Sequence, residues 1–145
     1  MIQIYVSADH WKLKVAAAAI PEFFLQLKAE DLPEKFTHTN HTREQVYANI
    51  WNNIIQSQER VSIETYRSKW PWSSVIGHAK PGKIFINSRR LESLHPADYV
   101  GNQAHELMHW PCLYRHDGNN PNKNRNLESV PYVIGSLAEA WFRGR

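Results

Sequence analysis

A chain of 145 residues, 42% hydrophobic and 12% aromatic, is long enough for one domain with a buried core and too short for two ordinary ones. Its 17 Lys and Arg against 14 Asp and Glu leave a formal charge of +3 scattered along the sequence, which argues against a dedicated nucleic-acid binder, whose cations gather into a patch or stripe. The single cysteine, Cys112, excludes an internal disulfide, and the apolar run Val15 to Ile20 is too short for a membrane span or a leader, so a cytoplasmic setting without membrane contact is expected.

Ile2, Ile4 and Val6 alternate with Gln3, Tyr5 and Ser7, the period of a half-buried strand. The Ala-rich stretch from about Lys12 to Ile20 suits a helix that Pro21 either continues or breaks, with Phe23, Phe24, Leu25 and Leu27 adding bulk before Asp31-Leu32-Pro33 stops it. Thr42 or Asn40 can cap a second helix carrying Val46, Ile50 and Ile54 at every fourth position. Val61, Ile63 and Thr65 alternate again as a strand. Tyr66 to Trp72 mixes cations with Trp70 and Trp72; it reads as a loop whose rings cover the core or line a cleft, with a nucleic-acid contact as the lesser alternative.

Val75 to Ala79, the type II turn signal Lys80-Pro81-Gly82-Lys83 and the run Lys83 to Ser88 predict a hairpin. Pro96 suits a first helical position and Pro111 disfavours helix at Trp110, which delimits a helix from about Pro96 to Trp110. Asp117 to Asn126, rich in Asn, Asp, Gly and Pro, reads as a loop, and a last helix after Ser129 carries Val133, Leu137 and Trp141 on one face. The expectation is a single α+β domain over residues 1–145, with a mixed twisted sheet.

The chemistry concentrates in His105-Glu106-Leu107-Met108-His109, of the form H-E-x-x-H. On a helix, residues four apart share a face, so His105 and His109 can present two imidazoles to one ion with Glu106 beside them. Val100, Ala104 and Leu107 form a core stripe about 160° away from the His pair, so the helix has separate apolar and histidine sides. Gly101, one turn earlier, is expected to leave space beside the metal.

A catalytic zinc takes three protein ligands and keeps a position open for water. His116 is the first choice for the third ligand, because Pro111 ends the helix and the chain can turn back through Cys112 to Arg115. Glu128 and Glu139, presented by a following helix, are the alternatives; Cys112 is the better fit for a small buried hydrophobe. With zinc in place, Glu106 would take the water's proton as general base, and amide hydrolysis is the natural reaction. Tyr132 is the candidate second donor to the developing oxyanion.

These residues resemble the zincin metallopeptidases, whose catalytic helix carries H-E-x-x-H, and most nearly the metzincins, with H-E-x-x-H-x-x-G-x-x-H. His105, Glu106 and His109 match; Cys112 stands at the Gly, Arg115 at the third His, and His116 falls one residue later. The resemblance implies a zinc-dependent peptidase acting on peptide or protein. It also implies a substrate strand at Lys83 to Arg89, with peptide extended along Ile84 to Asn87, and Ser129 to Tyr132 in place of a methionine turn. Two other readings compete: a non-catalytic peptide-binding module of the same shape, and a basic module binding nucleic acid through Trp70 and Trp72.

Overall fold

In the computed structural model, which describes residues 1–145, the alternating start of the chain forms strand β1 (Gln3–Val6), with Ile2 buried and Gln3 and Tyr5 facing out. Helix α1 (Trp11–Gln26) continues unbroken through Pro21 and buries Leu13, Ala16, Ile20, Phe23 and Phe24. It ends at Gln26 with Leu27 as its C-cap, earlier than the Asp31-Leu32-Pro33 signal suggests; Asp31 closes a separate 3-10 turn at Ala29–Asp31, and Leu32 and Pro33 follow it. Helix α2 (Arg43–Ile50) opens with Thr42 as its cap: the Thr42 hydroxyl accepts from the Gln45 amide and Gln45 Oε1 accepts from the Thr42 amide. A π-helical turn (Trp51–Ile55) extends it, so that Val46, Ile50 and Ile54 are all buried.

Strands β2 (Arg60–Tyr66), β3 (Gly77–Lys80) and β4 (Lys83–Asn87) complete a mixed sheet of order β1-β2-β4-β3, parallel between β1 and β2 and between β2 and β4, antiparallel between β4 and β3. Gly82, at φ +78°, supplies the left-handed residue of the hairpin turn. The strand Lys83 to Arg89, expected at the edge and beside substrate, is therefore interior. Ile84 and Ile86 on β4 are fully buried between Ile63 and the helices, whereas β3, reading Gly-His-Ala-Lys, has little apolar surface to lose at an edge.

Helices α3 (Pro96–His109) and α4 (Val130–Arg143) pack against each other, and α3 also packs against α1. One apolar cluster joins the sheet's inner face to all four helices. On α4 the buried residues are Val130, Pro131, Ile134, Gly135 and Ala138, and the expected face of Val133, Leu137 and Trp141 is only half-buried. Trp141 lies at the flank, its ring 5.8 Å from Phe23 and its indole N–H donating to Gln26. No helix is long and apolar enough to cross a membrane.

Candidate metal centre

Two devices fix the helix that carries the motif. At its start His95 is the cap, Nδ1 accepting from the Ala97 amide at 3.0 Å, and Asp98 returns a bond to the His95 amide at 2.8 Å, with Pro96 at the first position. At its end Trp110 turns extended and the chain doubles back, the Cys112 amide bonding Leu107 O and the Tyr114 amide bonding Met108 O at 2.8 Å. Leu113 sits at the bend with φ +66°, a conformation costing an ordinary side chain about 1 kcal/mol or more. Asn49 donates to Cys112 O, and the Tyr114 hydroxyl is bonded to His41 Nδ1 at 2.8 Å, which fastens the bend to the α2 side of the domain.

This bend delivers His116. The Nε2 atoms of His105, His109 and His116 form a triangle with sides of 3.2, 3.1 and 3.1 Å. Three ring nitrogens aimed at one point cannot all be satisfied by hydrogen bonds to one another, because each carries a single proton or lone pair in its ring plane. The Nδ1–H of His109 donates to Tyr114 O at 2.8 Å, which leaves the lone pair on Nε2. Ligands about 2.0–2.1 Å from a tetrahedral ion stand roughly 3.3 Å apart, so the donor set fits a zinc-sized ion. The three histidines lie close enough to hold one metal ion.

Burial sets the electrostatics of the cluster. Burial, reinforced by His109 and His116, pushes His105 down to about 3; burial also lowers His109 and His116. Burial pushes the Glu106 carboxyl up to about 8. Glu106 is 3% exposed, its Oε1 lies 3.8 Å from His105 Nε2, and its Oε2 is buried with no hydrogen-bond partner. His116 Nδ1 is likewise buried without a partner. A cation among these groups would bring the Glu106 carboxyl back down and would hold the three histidines deprotonated.

The remaining predicted residues separate clearly. Tyr132 stands at the site, its ring 4.6 Å from that of His105 and 4.8 Å from that of His116. Its hydroxyl reaches only Asn119 O, at 3.5 Å, and burial together with Glu106 raises its pKa. Glu128 is exposed and forked onto Arg125 at 2.6 and 3.0 Å, away from the cluster. Glu139 lines the same cleft without joining the histidines. Cys112 is buried in the bend, its thiol pushed up to about 12. Gly101 leaves no space beside the metal position: a Cβ there would stand 3.0 Å from Gly135 O, where α4 crosses. Trp70 and Trp72 are 54% and 76% exposed and lie against each other in a tilted pair, ring centres 5.2 Å apart, so they neither cover the core nor line the cleft.

Sequence reading missed the residue that holds the segment after His116. Asn126 is fully buried, its amide donating to Asp117 O and Asn120 O while its Oδ1 accepts from the Asp117 amide. His78 was also missed; it lines the cleft from β3, stacked on Phe85.

The cleft above the triad measures about 650 Å³ and is bounded by Ser74 to Ala79, by α3 and α4, and by Gly118, Asn119 and Pro121. His78 pairs with Phe85 and Lys80 with Lys83, and the Asn87 amide donates to Ile76 O. The alternation of an antiparallel ladder then turns the N–H and C=O groups of Gly77 and Ala79 to the open edge. No family model matches the chain, and comparisons with curated proteins and with solved structures also find no match.

Proposed function

We propose that this chain is a zinc-dependent peptidase of the zincin type, with His105, His109 and His116 holding the ion and Glu106 as general base. The observation that carries this reading is the Glu106 carboxyl, buried and unpartnered beside three converging ring nitrogens. A purely structural zinc has no use for an open position with a base next to it. When bound, zinc supplies Lewis acidity, which acidifies water and polarises a peptide carbonyl.

The protein's own part follows from its placement of groups. Glu106 accepts the proton of the attacking water on its free carboxylate oxygen and delivers it to the leaving amine. The Tyr132 hydroxyl, whose ring lies beside those of His105 and His116, is the donor for the charge that builds on the carbonyl oxygen. A peptide extended beside β3 would pair with the outward amide and carbonyl groups of Gly77 and Ala79, adding a strand to the sheet. This replaces the interior strand Ile84 to Asn87 as the substrate's neighbour. The bend supports the family reading as well: the left-handed residue, Leu113, and the third histidine are each one place later than the metzincin pattern has them, so the spacing between the two is kept.

The test is metal analysis paired with Glu106→Gln. Both forms should carry about one zinc per chain, and only the parent should hydrolyse peptide. Protein that binds no zinc, or a glutamine variant that retains full activity, overturns the assignment.

A further inference from the structure

The cleft is lined by acidic side chains although the chain as a whole is basic. Although Lys and Arg outnumber Asp and Glu by 17 to 14 overall, the cleft lining contains Asp98, Glu106 and Glu139 and no Lys or Arg. Beyond the histidines the cleft continues as a groove between α3 and α4, with Gly101 and Gly135 as its floor and Glu139 above Gly101, one turn before His105. Asp98 is fully engaged, one oxygen taking the His95 amide and the other Arg143. Glu139 is half engaged: Oε1 takes both bonds from Arg143 and Oε2 receives none.

A second, neutral acceptor stands across the groove. Asn102 lines it from α3, next to Gly77 of the edge strand, and its Oδ1 is buried with no donor. Free acceptors on both sides of a groove whose one neighbouring cation, Arg143, leaves Glu139 Oε2 unbonded match an occupant that brings positive charge and several N–H donors. Resting on the peptidase reading, we propose that this groove is a specificity subsite for a cationic group of the substrate, a Lys or Arg side chain or a free amino terminus, with Glu139 as the residue that selects it.

The experiment uses zinc-loaded full chain and a peptide set varied one position at a time among Lys, norleucine and Glu, each with the amino terminus free or acetylated. Two readouts run together: kcat/KM for the parent, Glu139→Gln, Glu139→Lys and Arg143→Gln, and calorimetric binding of the same peptides to Glu106→Gln protein with and without Glu139→Gln. Lys should exceed norleucine at least tenfold at one position, or acetylation should cost the same factor if the amino terminus is the occupant. Glu139→Gln should erase that ratio, Glu139→Lys should turn it toward Glu, and Arg143→Gln, which frees the second oxygen, should raise it.

Peptides cut or bound without a cation preference, or a preference untouched by Glu139→Gln, overturn the subsite and leave the peptidase reading standing. Glu139-dependent binding of cationic peptides without hydrolysis by the parent does the reverse. Circular dichroism and zinc content, unchanged in each variant, separate lost selectivity from lost fold.

Discussion

The two stretches that build the histidine cluster were made by different physics. His105 and His109 owe their positions to one helix: its period alone sets them on a common face, and capping by His95, Asp98 and Pro96 fixes where the helix begins. His116 owes its position to a bend tied back to the end of α3 and held, besides, by restraints from elsewhere in the chain. Asn49 and His41 hold the bend from the α2 side, Leu113 accepts a left-handed backbone, and Asn126 grips the loop that follows. Two of the histidines are therefore local and cheap to specify, and the third depends also on distant hydrogen bonds.

The largest way to break that comparison is to remove a ligand from each half. His109→Ala and His116→Ala should both lower zinc affinity at least 100-fold, while Glu128→Ala and Glu139→Ala should keep it; retained zinc in His116→Ala would remove the bend from the site. Next comes the support. Asn126→Ala removes the three hydrogen bonds by which a fully buried side chain holds the backbone of Asp117 and Asn120, so it should cost about 2–3 kcal/mol and lower Tm by roughly 5–10 °C. Its zinc affinity should also fall, whereas an equally destabilising Ile134→Ala on α4 should leave affinity nearer the parent value.

A pH titration of chelator-treated protein probes both halves together. The three histidines have lowered pKa values in the folded state, so their contribution to stability is present above about 6.5 and lost as pH falls. Glu106, raised from 4.5 to about 8, works the other way and loses its contribution as pH rises through that window. Between 4.5 and 6.5 three histidine protons outweigh one carboxyl proton, so metal-free Tm should peak near pH 6.5 and decline on both sides. A flat profile from pH 5 to 8 would contradict the burial of the cluster. The smallest expected effect is Leu113→Gly. Leu113 is 75% exposed and loses little packing, so relief of its backbone should stabilise the protein by about 1 kcal/mol, seen as a small rise in Tm.

The same division explains what could be read in the sequence. The α+β class, the hairpin turn at Pro81-Gly82, the capping of α2 at Thr42 and the span of α3 all follow from signals within a few residues, and each has its counterpart in the structure. His116 could be named because the chain had few other places to go after Pro111. The strand order could not be read: a β3-β4 hairpin has the same pattern whichever strand lies outside, and the parallel pairing of β2 with β4 that settles it spans some twenty residues. Gly101 misled for a related reason, since a missing side chain looks the same in sequence whether it leaves room or lets another helix in. Asn126 gave no signal at all, being one asparagine among several in a polar run.

The Gly101–Gly135 crossing has a mechanical meaning. With no side chain between them, the helix holding two histidines and the helix carrying Tyr132 and Glu139 meet backbone to backbone, and neither can slide or roll alone. A methyl group at position 135 would press within 3.1 Å of the His105 Cβ as well as 3.0 Å of Gly101 O. Misalignment introduced there would reach the first histidine and the tyrosine in the same stroke, so the registration of the whole centre is set by two residues that contribute no chemistry to it.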